Sequence, residues 1–236
     1  GCQSEAGGEG GGRLSHQEAG ARASLCGADL QPIPVEIRIQ HRAGRESVQR
    51  LLDGLPPEVV VVTDEEELLD PWRGYRLCLS DLPESGHVAV LQDDTVVGKN
   101  FAPALEQIAA GNPDTPVLLF NSKGPRRTHN LASLRYGKSR YVDVHAQDLV
   151  HVVAILWPVE VARSLLSWVD ANGHRLPNRG KLTTSDDAII TRWMRMTRQR
   201  IRCTVPSIVE HPDDVPSTVN ALRVRNGRDS GRTAGY

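Results

Sequence analysis

Three clusters of acidic and imidazole side chains are the parts of this sequence best suited to chemistry: Asp93-Asp94, Asp186-Asp187, and His211 with Asp213-Asp214. Two adjacent carboxylates that follow a hydrophobic strand cannot both be buried without partners, because each isolated charge costs roughly several kcal/mol even after relaxation. A divalent cation is one such partner. Carboxylate oxygens suit Mg2+ or Mn2+, and a neutral imidazole tips the preference toward Mn2+. A plainer reading is that Asp93-Asp94 cap a turn, where aspartate is common. Asp186-Asp187 stand where a helix begins and complement its dipole; the functional reading makes one of them a general base aimed at a hydroxyl. His211 gains meaning only from its neighbours.

Composition limits what these clusters can serve. The chain has 236 residues, 39% of them hydrophobic, with 28 basic and 29 acidic side chains and a formal charge of -1. That size fits one folded domain, and near-zero charge offers no uniform field for a polyanion, so nucleic acid is not an expected partner. The longest apolar stretch, residues 149–159, contains His151 and falls short of the ~20 residues of a membrane helix, so no transmembrane segment is expected. Cys2, Cys26, Cys78 and Cys203 form no Cys-x-x-Cys pair, which points to a reducing, cytoplasmic setting. Residues 1–32 are glycine-rich and lack apolar periodicity, and residues 223–236 are rich in Arg, Gly and Ser; both ends are expected to be disordered around a folded unit of residues 33–222. The start at Gly1 suggests a fragment or processed chain, without the apolar core of a secretory signal.

Inside that unit, strand and helix patterns alternate. Residues 35–39 alternate apolar and charged side chains, as a strand with one covered face does, and run into His41-Arg42-Ala43-Gly44-Arg45. Val48, Leu51, Leu52 and Leu55 share a helical face that Pro56-Pro57 ends. The β-branched run 59–63 predicts a strand buried on both faces, with Asp64 at its exit. A helix over 72–82, a strand over 87–91 ending in Gln92-Asp93-Asp94, a helix over 100–110 and a strand over 116–120 follow. This order predicts an α/β layered sheet with mostly parallel strands, whose ligands bind beyond the carboxyl ends of the strands. Further on, the sequence predicts a basic loop at 122–129, strands over 140–145 and 149–156, and a helix opened by Pro158. A polar connector at 173–182 leads to a helix capped by Ser185, and one last strand spans 201–209.

The order and spacing of these clusters resemble the GT-A fold glycosyltransferases, in particular the inverting family-2-like enzymes, over about residues 35–212. The resemblance implies a three-layer α/β/α domain, of the nucleotide-diphospho-sugar transferase kind, with a mixed, mostly parallel central sheet. It implies transfer of a sugar from a nucleotide-sugar donor to an acceptor hydroxyl, with inversion and with Mn2+ or Mg2+ as cofactor. In that family an aspartate after the second strand contacts the base, which Asp64 matches, and the metal-binding Asp-x-Asp reads Gln92-Asp93-Asp94 here. Asp94 with His211 would hold the cation, and Asp93 would lie on the donor side. Asp187, preceded by Asp186, matches the catalytic base. His41 and Arg42 stand where the family has small polar residues at the nucleotide. Arg126 and Arg127 are placed to meet phosphate or an anionic acceptor, and Trp157 to form an acceptor platform or pack in the core. The acceptor, whether glycan, protein or small molecule, stays open.

Gln92 departs from the family pattern, since an amide is a weaker metal ligand than a carboxylate. It keeps open a non-catalytic sugar-nucleotide or glycan-binding domain of the same fold. A metal-dependent hydrolase or nucleotidyltransferase is the other alternative. The first would more often bring several histidines to the metal, and the second a glycine-rich, lysine-containing phosphate loop after the first strand.

Overall fold

Period-two alternation in the central strands decides the architecture, because it offers apolar side chains to both faces of one sheet. The computed structural model describes residues 33–66, 70–120, 140–146, 149, 152–173, 176–178, 181–183 and 185–212. The leader at 1–32, the tail at 223–236, Arg126, Arg127, Asp213 and Asp214 lie outside the described residues.

The first described elements are β1 (Val35–Arg42), α1 (Ser47–Leu52), β2 (Val60–Asp64) and α2 (Pro71–Cys78). It continues through β3 (His87–Gln92), β4 (Val96–Val97), α3 (Phe101–Gly111), β5 (Val117–Leu118) and β6 (Tyr141–Val144). Then come β7 (Ala154–Pro158), α4 (Val159–Asn172), β8 (Leu176–Asn178), β9 (Lys181–Thr183), α5 (Asp186–Thr197), β10 (Ile201–Thr204) and β11 (Val209–Glu210). Among the described residues seven strands form one sheet in the order β2-β1-β3-β7-β5-β10-β6. β1 pairs in parallel with β2 and β3, and β5 with β10, whereas β7 is antiparallel to both β3 and β5 and β6 is antiparallel to β10.

Successive residues of β3 and β7 feed opposite cores. Val88, Val90, Ile155 and Trp157 join Trp72, Tyr75, Leu165 and Trp193 of α2, α4 and α5. Ala89, Leu91, Ala154 and Leu156 join Ile37, Ile39, Leu51 and Leu105 of β1, α1 and α3 on the other face. A mixed sheet with helices on both faces is the layered α/β arrangement expected from the sequence. No helix among the described residues is long and apolar enough to cross a membrane.

Several local expectations are corrected. The run 59–63 was expected to be buried on both faces, but β2 is the terminal strand of the sheet and leaves Val60 43% and Val61 39% exposed. A β-branched run reports strand preference, not depth. The strand expected over 149–156 is β7, which starts only at Ala154 and keeps Pro158 as its last residue, one place before the first turn of α4. The single strand expected over 201–209 is two strands in different sheets, β10 and β11, separated around Pro206, which has no N–H for a ladder. The connector expected over 173–182 holds β8 and most of the strand β9 that pairs antiparallel with it, β9 ending one residue beyond at Thr183. Helix α2 starts at Pro71 with the Asp70 carboxylate accepting from Arg73 N at 3.1 Å, and α5 stops at Thr197 because Arg198 takes a left-handed φ of 58°.

Two buried polar residues tie the layers together. Arg38, only 6% exposed, projects from β1 to the C-terminus of α2, donating to the carbonyls of Cys78 at 3.0 Å and Asp81 at 2.9 Å and also to that of Ser80. Its Nε donates to Glu36 at 2.7 Å. A guanidinium is thus the cap for carbonyls that a helix end leaves unpaired. His87, 2% exposed, uses Nε2 to donate to the Asn112 carbonyl at 3.1 Å, while its Nδ1 is buried without a partner among the described residues. Burial pushes the His87 pKa below its usual 6.5, outweighing the bond to Asn112.

Arg38→Met, which keeps the apolar stem and removes the donors, is expected to lower stability by about 2–4 kcal/mol in urea titrations. For His87, the unfolded chain takes up a proton below about pH 6.5 that the native state refuses, so its contribution declines as pH falls through that window. The advantage of wild type over His87→Gln therefore shrinks between about pH 7.5 and about pH 5. Equal pH slopes for the two proteins would count against it.

Candidate functional site

Because β2, β1 and β3 are parallel and in register, with Arg42 beside Asp64 and Gln40 beside Gln92, their carboxyl ends arrive at one edge of the sheet. That edge is where open α/β sheets bind ligands. The ladder continues one step past β3, with Asp93 N donating to Gln40 O at 3.1 Å, and this buries the next two side chains, Asp93 at 2% and Asp94 at 6% exposure.

Arg45 neutralises both. Gly44 has φ 84°, a left-handed conformation that turns the chain after β1 back over the end of β3, and Arg45 N bonds to Arg42 O at 3.2 Å across the turn. From there Arg45 Nη1 reaches Asp93 Oδ1 at 2.5 Å and Nη2 reaches Asp94 Oδ2 at 3.0 Å. Asp93 Oδ2 also meets His41 Nδ1 at 3.0 Å and accepts from Arg42 N at 3.1 Å. His41 and Arg42 therefore do stand at the carboxylates, with the Arg42 backbone making the bond to Asp93. Burial raises the Asp93 pKa against the pull of these partners. The neighbouring Asp94 goes the other way: burial raises it, but the hydrogen bond and charge of His211 and the charge of Arg45 bring it below the usual carboxylate value.

His211 reaches Asp94 through a ribbon that sequence reasoning did not find. β11 pairs antiparallel with β4, Val209 opposite Val97 and Glu210 opposite Val96, so the residue after β11 lies over the turn that carries Asp94. His211 Nε2 is 3.3 Å from Asp94 Oδ2. The other oxygen, Asp94 Oδ1, is buried without a hydrogen-bond partner among the described residues. The bond and charge of Asp94 raise the His211 pKa above its usual 6.5, and an imidazole has to be unprotonated to ligate a cation, so the two stand here as an ion pair. No group of three His, Cys, Asp or Glu that could hold an ion occurs among the described residues.

The third cluster joins the same edge. Gln92 Nε2 donates to Asp186 Oδ2 at 3.4 Å, linking the end of β3 to the first turn of α5. Asp186 is 4% exposed, and its Oδ1 accepts from Asp187 N at 2.9 Å. Burial, reinforced by the negative charge of Asp187, holds the Asp186 pKa well above the carboxylate range. Asp187 is half-buried and its Oδ1 accepts from the Ser185 hydroxyl. Ser185 occupies the expected cap position, yet its hydroxyl serves this carboxylate instead of a backbone N–H.

Asp64, at the end of β2, is held by Arg73 of α2: Nη2 lies 2.7 Å from Oδ1 and 3.0 Å from Oδ2, and Nε lies 3.2 Å from Oδ1. Much of its acceptor capacity is thus committed to a guanidinium. Trp157 is displaced from the site altogether. β7 runs antiparallel, so Trp157 sits opposite Val88, toward the start of β3, at 0% exposure, with Nε1 donating to Tyr75 Oη at 2.8 Å and its ring 5.8 Å from that of Trp193. It is a core residue and offers no platform to an acceptor. Arg126 and Arg127 lie outside the described residues. Arg45 and Arg73 are the site residues that motif reading misses; the signal for Arg45 is the basic run 41–45 directly after β1.

In comparisons with known proteins, the chain matches no protein-family model and no curated protein.

The turn at Gly44 sets the reach of Arg45, and a Cβ there would meet no atom within 4 Å. Gly44→Ala should therefore cost only the backbone term, about 1 kcal/mol, and Gly44→Asn less, in urea titrations. An alanine variant as stable as wild type would show that the left-handed turn is not the constraint.

Proposed function

We propose that the protein is a glycosyltransferase that moves a sugar from a nucleoside-diphosphate donor to an acceptor hydroxyl, with inversion. The observation that carries this reading is the meeting, at one sheet edge, of two differently prepared carboxylate pairs joined by the Gln92 to Asp186 contact. Asp93-Asp94 is surrounded by positive and imidazole groups, and Asp186-Asp187 pairs a buried carboxyl with a more accessible one. Environments that separate the protonation of neighbouring carboxylates are how one site assigns distinct roles to them.

Asp187 accepts the proton of the acceptor hydroxyl. Asp186, whose pKa burial pushes well above the ordinary carboxylate value, fixes the Asp187 backbone by accepting from its N–H. His41, Arg42 and Arg45 receive the diphosphate side of the donor, and the Asp64–Arg73 pair lies where the nucleotide enters. Asp94 and His211 would hold Mn2+ or Mg2+ only once His211 gives up the proton that Asp94 favours, and the cation would then offset charge developing on the leaving diphosphate. Arg126 and Arg127 remain proposed contacts for phosphate or acceptor. A cytoplasmic setting remains part of the proposal; Cys78 and Cys203 are buried, and burial pushes the Cys78 thiol up to about 12.

The competing reading, a sugar-nucleotide or glycan-binding domain without turnover, draws on Gln92, whose amide turns to Asp186. Turnover separates the two. Thermal shifts with ADP, GDP, UDP and CDP, each with and without Mn2+, should identify one stabilising nucleotide. Its sugar derivatives should then be hydrolysed or transferred. Asp187→Asn is expected to lower turnover by about 10²-fold or more with nucleotide binding nearly intact, whereas Asp94→Ala should weaken the Mn2+-dependent binding as well. Binding without any turnover would favour the binding domain, and the absence of a shift with every nucleotide would end the donor-site reading.

A further inference from the structure

We infer that Gln92 is a positioning residue for the proposed base: acting through Asp186, its amide fixes the first turn of α5 against the end of β3 and so sets the place of Asp187. The inference rests on the glycosyltransferase reading. It gives position 92, where the Asp-x-Asp pattern has a carboxylate, a task other than metal binding.

The contacts run in one line from sheet to helix. Gln92 ends β3, with its backbone N–H donating to Val153 O at 2.9 Å and its Nε2 donating to Asp186 Oδ2 at 3.4 Å. Asp186 Oδ1 accepts from Asp187 N at 2.9 Å, and Asp187 Oδ1 accepts from the Ser185 hydroxyl. Each oxygen of Asp186 is thus met by a neutral donor, one from the sheet and one from the helix. The amide contact is long for a hydrogen bond, and its weight comes from burial. At 4% exposure Asp186 meets little water, so removing the Gln92 amide leaves a buried oxygen unpaired. β3 is hydrogen-bonded on both sides, by β1 and by β7, so the amide is presented from a strand that is itself held.

The charge around position 92 accounts for the amide. Beside it in the chain stand Asp93 and Asp94, and across from it Asp186 and Asp187. Arg45, His41 and His211 answer Asp93 and Asp94. Asp187 of the same helix and Tyr75 of α2 also act on Asp186, and neither brings positive charge. A carboxylate at position 92 would therefore add a like charge at hydrogen-bonding distance from Asp186, between two acidic pairs. An amide suits this place whether Asp186 is ionised or protonated, because it can donate to a carboxylate or accept from a carboxyl. Glutamine lets the two carboxylate pairs meet at one edge without a further charge between them.

The test is steady-state turnover by the full chain of a panel of UDP-, GDP-, ADP- and CDP-hexoses, with and without Mn2+, read as release of the nucleoside diphosphate. Wild type, Gln92→Met, Gln92→Asn and Gln92→Glu are compared, each checked for folding by urea titration. Gln92→Met keeps the length and removes the donor; kcat should fall about tenfold or more with KM nearly unchanged, because the base is misplaced while the donor contacts remain. Gln92→Asn keeps the amide on a shorter stem, should fall between wild type and Gln92→Met, and carries the same comparison if the methionine variant does not fold. Gln92→Glu adds negative charge beside Asp186 and should move the acidic limb of the kcat profile upward by about one pH unit. A raised KM with unchanged kcat would make Gln92 a donor contact and overturn the positioning role while leaving the donor site intact. Wild-type kcat and pH profile in all the folded variants would overturn it in the same way. If wild type turns over none of the nucleotide sugars, the inference falls together with the reading on which it rests.

Discussion

Two adjacent carboxylates buried at the end of one strand impose the constraint around which this edge of the protein is arranged. The β1–β3 ladder extends past Gln92 and carries Asp93 and Asp94 out of water, so their charge has to be met from within. The groups that meet it come from three places: the strand end at His41 and Arg42, the left-handed turn that returns Arg45, and the short β4–β11 ribbon that delivers His211. Each of these would be an unremarkable loop feature without the buried charge. With it, they become parts of one electrostatic unit.

The rest of the fold keeps that unit at a fixed distance from the second carboxylate pair. β3 is both the source of Asp93-Asp94 and, through Gln92, the neighbour of Asp186. Asp186 in turn is held by α5, whose Ile189, Ile190 and Trp193 pack into the same core as Val88, Val90 and Trp157 of the sheet. Displacing α5 would therefore strip apolar contacts as well as the polar link. Arg38 performs a similar service for α2, binding its C-terminal carbonyls to β1 and so holding Arg73 near Asp64 at the next strand end. The positions of the charged groups are thus set by apolar packing, and their protonation by one another.

The layered α/β plan was legible in the sequence because it is written in local pattern. Residues that alternate every second position, as in β3, and helices with one apolar face are readable without any knowledge of partners. For the same reason Asp64, Asp93 and Asp94 could be placed at strand ends and Asp186 at a helix start. The exposed face of β2 was not legible, because a run of valines looks the same at the rim of a sheet as at its centre. The division of residues 201–209 into two strands was not legible either, since it depends on which distant segments each half pairs with.

Sequence alone determined which residues carry charge, which segments alternate, and that acidic pairs fall where elements begin or end, all properties of neighbours in the chain. Tertiary structure decided the direction of β7, and with it that Trp157 packs in the core toward the start of β3 instead of lining a site. It decided that His211 meets Asp94 across the β4–β11 ribbon and that Arg45, not recognisable by any motif, joins the two buried carboxylates. Those outcomes depend on strand pairing and desolvation between residues far apart in sequence, whose free energies exist only once the chain has closed on itself.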